Sequence, residues 1–249
     1  MKQKFTIQSQ QYQLPYHYCV NIDEFSLKKE YVYGLDYYSY TKETVNILEK
    51  LKNFTSLLDV GCGDGYFVNY LSKKYLHSKF KGIDLVEKAV NFAKILKNNE
   101  NVCFENIDIK DENNSYEVVT CIQVLEHIPD DERIKFLENI SSKIKIDGYL
   151  IISVPTKNLK LPKKHYRHYS ENEILNIMPK YLNHIKTVYS YDDNSLLLKI
   201  VNKIIINRYF ILNHQKIINK LINLIKTSLF NIDGNKARYI TVVFQKRGI

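Results

Sequence analysis

The residues of this chain best suited to chemistry fall in four short stretches. The first, Asp59-Val60-Gly61-Cys62-Gly63-Asp64-Gly65, sets three alternate glycines between an apolar run, Leu57-Leu58, and an amphipathic one. Only eight glycines occur in 249 residues, so three within five mark a place where backbone must approach another group closely. Glycine, lacking a Cβ, permits a tight strand-to-helix turn, and the helix that follows presents unpaired N–H groups. A dinucleotide fingerprint reads G-x-G-x-x-G, whereas here the third glycine comes one residue early. A nucleotide-like ligand is the expected occupant, and a purely structural turn is the alternative. Next come Asp84, 19 residues past Gly65, and Asp108 in Asn106-Ile107-Asp108-Ile109. The spacing of Asp84 suits a carboxylate accepting both ribose hydroxyls of an adenosine, against the plainer role of capping the next helix. Asp108 would accept from the adenine amine, with Leu85 or Ile109 on the ring faces, although Asp111 and Glu112 stand close enough to replace it. The last two stretches carry histidine: Glu126-His127, and His165-Tyr166-Arg167-His168-Tyr169-Ser170.

Regular alternation of strand and helix signals positions these residues. Helix is expected from Thr41, with Val45, Leu48 and Leu51 on one face, then the glycine-motif strand, then a helix striped by Phe67, Tyr70 and Leu71. Strands are expected over Lys79 to Leu85, Asn101 to Asp108, Tyr116 to Ile122 and Tyr149 to Val154, with helices over Val86 to Lys97 and Asp130 to Lys145 between them. Tyr116 to Ile122 is apolar apart from Glu117 and Thr120, as in a strand buried on both faces. Such succession implies right-handed crossovers and a parallel sheet, with ligands at the carboxyl ends of its strands. After residue 156 the rhythm changes. A basic loop, a short helix capped by Ser170-Glu171-Asn172-Glu173, a sixth strand at Ile185 to Tyr191, a helical stretch over 194–230 and a last strand at Tyr239 to Gln245 complete the chain.

The glycine motif, the acids and Cys121-Ile122-Gln123-Val124-Leu125-Glu126-His127-Ile128-Pro129-Asp130 occur in an order that resembles the Rossmann-like, class I S-adenosylmethionine (SAM) methyltransferases. Their ligand carries no pyrophosphate. The resemblance runs from about Thr41 to Pro155. Leu-Glu-His-Ile-Pro-Asp, Asp147-Gly148-Tyr149-Leu150 and Ser153-Val154-Pro155 are similar to the branch that includes ubiquinone-type O-methyltransferases and bacterial glycan and lipid methyltransferases. It implies an α/β fold: a doubly wound, seven-stranded, mostly parallel sheet with an antiparallel last strand, an N-terminal aromatic cap (1–40) and a helical insertion (194–236) around a SAM-binding domain (41–193 and 237–249). It further implies that SAM meets Asp59, Gly61, Cys62, Gly63, Gly65, Asp84, Leu85, Asp108, Ile109 and Gln123. Asp59 would order the loop N–H groups and the methionine ammonium, and Gln123 would contact the methionine end. Glu117 stands where the family often has Asp.

Methyl transfer from a sulfonium is an in-line displacement that gains most from alignment, and a hydroxyl acceptor gains further from a base. His127 is the candidate base, or else a loop residue bonded to backbone. In an extended segment His165, Arg167 and Tyr169 would share one side and His168 the other. Arg167 would clamp an anionic acceptor or tie the loop to the helix behind it. Small-RNA 2′-O-methyltransferases have a metal-binding Glu-x-x-Glu-His with a further His. Gln123 replaces the first acid here, and no metal site is expected.

Net charge is +9, but the excess is nearly all lysine, in a composition rich in Lys, Asn, Ile and Tyr that AT-rich coding alone would produce. Scarce arginine argues against nucleic acid as a partner. The acceptor is therefore expected to be a small molecule, a saccharide or a lipid-linked compound. Four scattered cysteines, Cys19, Cys62, Cys103 and Cys121, and a polar N-terminus point to a cytoplasmic protein with reduced thiols. The 1–40 tyrosines read as a cap on the domain edge or a lid over the cofactor. Residues 194–230 read as a helical subdomain or dimer contact packing on protein, or as an interfacial pair on an anionic membrane, peripheral because no uncharged stretch is long enough to span it.

Overall fold

The computed structural model describes residues 31–51, 53–205 and 214–248. The aromatic segment ahead of residue 31, with Cys19, lies outside the described residues. Seven strands form one sheet in the order β3-β2-β1-β4-β5-β7-β6. The strands are β1 (Ser56–Val60), β2 (Lys79–Ile83), β3 (Val102–Glu105), β4 (Tyr116–Ile122), β5 (Ile144–Pro155), β6 (Leu182–Ser190) and β7 (Tyr239–Lys246). β1 to β5 pair in parallel, and β7 runs antiparallel to both β5 and β6.

The helices are α1 (Tyr31–Leu48), α2 (Tyr66–Lys74), α3 (Glu87–Ile95), α4 (Arg133–Ser142), α5 (Glu171–Ile177), α6 (Leu196–Ile205) and α7 (Gln215–Ile225). Strand periodicity sends alternate residues to opposite faces of the sheet. Leu58, Val60, Val119 and Cys121 join one buried cluster with Leu137 and Ile140 of α4, while Leu57 and Val118 join the other with Val68 and Leu71 of α2. Strand order reverses between β1 and β4, which opens a crevice at their carboxyl ends. Every chemically interesting stretch begins there.

Several expected boundaries move. Among the described residues α1 runs from Tyr31 to Leu48, ten residues ahead of the helix start expected at Thr41. β5 begins at Ile144, five residues before the expected Tyr149, and pairs with β4 through an irregularity between Tyr116 and Val118. Asp147 takes a left-handed backbone there, at φ 62°, just ahead of Gly148. β2 and β3 end at Ile83 and Glu105, which leaves Asp84 and Asp108 in the loops beyond their tips.

Candidate active site

The glycine turn is held against the tip of β2. Gly61 and Cys62 donate N–H bonds to the Ile83 carbonyl at 2.8 and 3.0 Å, and Gly63 donates to the Asp84 carboxylate at 2.9 Å. The second Asp84 oxygen accepts from Val86 N–H at 2.8 Å. Burial raises the Asp84 pKa, and these N–H bonds offset part of the rise. The organising acid of the loop is thus Asp84 and not Asp59. Asp59 instead accepts from the Thr120 hydroxyl at 2.6 Å, and burial lifts its pKa to about 7. Gly61, Gly63 and Gly65 all have positive φ, of 77°, 56° and 72°.

A cavity of about 660 Å³ lies over this turn. Asp59, Gly61, Cys62, Gly63, Asp84, Leu85, Asp108, Ile109 and Gln123 all border it. Gly65 does not. A Cβ there would lie 2.7 Å from both Ala93 and Phe104, so the third glycine lets α2 close onto α3 and β3. Asp108 caps its own turn by accepting from Lys110 N–H at 3.1 Å while still bordering the cavity. Of its two alternatives, Asp111 does not line the cavity, and Glu112 is buried in an ion pair with Lys81 at 2.7 Å.

Past β4 the backbone turns sharply. Gln123 adopts a left-handed conformation at φ 56°, uncommon for a residue with a Cβ and frequent where structure serves a site. Its Nε2 is buried with no protein partner among the described residues. Glu126 is fully buried, with its pKa raised to about 8 by desolvation and partly offset by Lys164. The histidine loop folds back across this turn, pinned by Tyr166 N–H to the Glu126 carbonyl at 2.8 Å and by the Tyr169 hydroxyl to the Leu125 carbonyl at 3.2 Å.

That fold-back decides the state of three histidines. His168 Nδ1 lies 3.0 Å from the Leu159 carbonyl, to which it can only donate, so its Nε2 carries a lone pair. His165 Nδ1, 2.8 Å from that Nε2, is therefore the donor, and His165 Nε2 carries the lone pair in turn. His127 Nδ1, 3.2 Å from the Lys164 carbonyl, donates as well, so the lone pair of the neutral ring is on Nε2, 4.0 Å from the Glu126 carboxyl. The His127 and His165 rings meet edge-on with centroids 4.6 Å apart, and both border the cavity.

Alternation along an extended segment would have separated His165 from His168; the segment instead bends at Tyr166, and the two rings meet. Arg167 is not at the cavity. It reaches Asp130 and Glu173, each at 3.4 Å, so its role is to tie the loop to α5. Glu126, His127 and His165 bring ligand atoms within 4.8 Å of one another, a donor set that suits a divalent cation even with Gln123 in place of an acid.

Several cavity residues were not singled out by sequence. Lys135, Phe136 and Asn139 project from one face of α4, where mixed polarity gives no periodic signal, and Lys164, Tyr166 and Tyr239 come from a loop and the last strand. Tyr37, Tyr40 and Thr41 bring α1 to the rim, which accords with the lid reading of the tyrosines ahead of residue 41.

Comparison with known proteins matches residues 31–194 to the model of a methyltransferase domain family. The chain belongs to this SAM-dependent methyltransferase family. A ubiquinone biosynthesis O-methyltransferase of Neisseria meningitidis serogroup C (strain 053442) is 32% identical over 111 residues, 42% of this chain and 45% of that protein. The chain thus spans about half the length of the curated relatives it matches. Among solved structures, magnesium protoporphyrin IX methyltransferase from Synechocystis PCC 6803 with bound SAM aligns with a TM-score of 0.59 at 15% identity, over 99% of this chain and 98% of that one. An N-methyltransferase from Bradyrhizobium japonicum WM9 with S-adenosyl-L-homocysteine aligns at 0.57 and 11%, over 84% and 86%. At such identities the likeness concerns the fold. The methyltransferase cavity fits SAM on its own chemistry: among the described residues, a buried carboxylate at Asp59 with no cation beside it, a Gln123 Nε2 with no partner, and a glycine turn that admits a ligand against backbone.

Proposed function

We propose that this methyltransferase transfers the methyl group of SAM to an oxygen of a small-molecule, saccharide or lipid-linked acceptor, with His127 as the general base. SAM bound over the glycine turn supplies an electrophilic methyl on a sulfonium. Asp59 would hold the ammonium, Gln123 the methionine end, Asp84 the ribose and Asp108 the adenine, with Leu85 and Ile109 supplying apolar contact to the ring. The observation that carries the reading is the hydrogen bond from His127 Nδ1 to the Lys164 carbonyl, which in the neutral ring makes Nε2, 4.0 Å from the Glu126 carboxyl, the basic nitrogen of a histidine that borders the cavity. As the acceptor oxygen bonds to the methyl carbon and the carbon–sulfur bond breaks, the hydroxyl proton passes to Nε2. His165, held in its tautomer by His168, is the second proton acceptor at the same wall. Relatives named as ubiquinone biosynthesis O-methyltransferases support an oxygen acceptor.

Labelled SAM offered with phenolic, saccharide and lipid-linked acceptors tests this directly. His127→Asn is expected to lower kcat by roughly 10²- to 10⁴-fold, the usual contribution of a general base, with SAM affinity unchanged. Tight SAM binding without turnover on any acceptor would favour a non-catalytic SAM-binding role, and salt-dependent binding and methylation of RNA would favour an RNA 2′-O-methyltransferase. A metal-assisted mechanism is favoured by one observation, the Glu126, His127 and His165 donor set. Activity that survives a chelator is expected for the base mechanism, whereas loss on chelation and recovery with a divalent cation would replace it.

A further inference from the structure

Between Asp193 and Asp233 the chain has no carboxylate side chain, although it carries 27 among its 249 residues. The same stretch holds Lys199, Lys203, Arg208, Lys216, Lys220 and Lys226, so six of the nine net positive charges are concentrated there. It begins where the match to the methyltransferase family ends, at residue 194.

The two helices of this stretch share one arrangement. In α6, Leu198 and Val201 are 1% and 2% exposed and pack with Leu35 and Tyr38 of α1. Leu196, Leu197 and Ile200 are 73%, 45% and 47% exposed, and at about 100° per residue they occupy a single arc. The exposed Lys199 and Lys203 flank that arc on the side away from the buried seam. In α7, Ile225 is fully buried, Ile217 and Leu224 are 46% and 51% exposed, and the exposed Lys216 and Lys220 border them on the far side. Each helix thus has a seam on protein, an apolar stripe on solvent, and lysines beyond the stripe. A helix serving only as a cover for the core needs the first of these and not the second. Lysines that extend past an apolar stripe place their ammonium groups at the level of lipid phosphates while the stripe enters the acyl boundary.

We propose that the exposed faces of α6 and α7 form a docking surface for an anionic lipid bilayer. Neither helix is long enough to cross one, and among the described residues no helix is long and apolar enough to do so, so the contact is interfacial. The surface is continuous with the site through α1. Tyr38 of α1 meets Phe230 edge-on beyond α7, and Tyr40 meets Tyr239 at 5.0 Å, with both Tyr40 and Tyr239 on the cavity rim. Docking would therefore bring the cavity mouth to an acceptor held in or on the membrane, although the docking itself does not depend on which acceptor is methylated.

The test is co-sedimentation of the full chain with vesicles of phosphatidylcholine alone and with phosphatidylglycerol added. Binding is expected only with the anionic lipid, weakening as salt rises. Leu196→Glu combined with Ile200→Glu should abolish it. Lys199→Gln and Lys203→Gln should each weaken it about fivefold, the usual effect of one basic residue at such a surface. Calorimetric SAM affinity should be unchanged in all of these variants, which separates a surface effect from misfolding or a wrong cofactor assignment. Failure to bind anionic vesicles, or binding unaltered by the double substitution, would overturn the proposal. So would light scattering that reports a dimer dissociated by that substitution, because the stripe would then belong to a second copy.

Discussion

Asp59 shows how one buried side chain can be unfavourable for folding and necessary for a ligand. Its carboxylate has a single hydrogen bond among the described residues, from Thr120, and desolvation raises its pKa to about 7. A carboxyl whose folded pKa exceeds its unfolded value contributes stability at low pH and loses it as pH rises from about 4 through about 7. Asp59→Asn keeps an acceptor for Thr120 without the charge. Its thermal midpoint is therefore expected to match the parent near pH 4 and to exceed it by a few degrees at pH 8, in the absence of SAM. A ligand ammonium reverses the sign, since it needs the ionised form. SAM affinity measured calorimetrically should tighten roughly tenfold between pH 6 and 8 in the parent and show no such rise in Asp59→Asn, which should bind weakly throughout. A flat profile in the parent would remove Asp59 from contact with the ammonium. The three histidines make a related point, because a carbonyl that can only accept orients the neutral rings of His127 and His168, and His168 in turn orients His165.

Among the elements, the glycine turn divides its labour. Gly61 and Gly63 face the cavity, whereas Gly65 begins α2 in a left-handed conformation against Ala93 and Phe104. Gly65→Ala should accordingly lower stability by about 2 kcal/mol or more in urea unfolding without ligand, because both the positive φ and the 2.7 Å approaches oppose a Cβ. A variant as stable as the parent but defective in SAM binding would instead make Gly65 a ligand contact. α1 depends on a different kind of anchor. Asp36 accepts from the Tyr239 hydroxyl at 2.7 Å and pairs with Arg238 at 3.2 Å, while Arg238 also engages Asp193. This network fastens the helix that carries Tyr37 and Tyr40 to the last strand and to the loop leading into α6. The cavity rim, the last strand and the start of the charged helix pair therefore meet at one junction.

For the whole molecule, placement of charge matters more than its total. A net charge of +9 spread evenly would say little about partners, but six of those charges in one acid-free segment amount to a directional surface. How far such features were legible depended on their range. Sequence by itself determined the parallel α/β alternation, because alternate glycines, apolar runs and strand-end acids are local patterns, while the antiparallel last strand came from the resemblance to the methyltransferase family. Of the ten residues it assigned to SAM, nine border the cavity, since strand ends converge whatever the details of packing. Tertiary structure alone decided the rest. Arg167 read either as an acceptor clamp or as a tie to the helix behind it until the fold set Asp130, from another segment, and Glu173 of that helix against it, and His165 met His168 because a bend at Tyr166 overrode strand-like alternation. The loop acid proved to be Asp84 and not Asp59, since which carboxylate meets an N–H depends on a separation of an ångström or two, set by how β2 packs beside β1. Periodicity says which face a residue takes; only the packed neighbours say what it touches there.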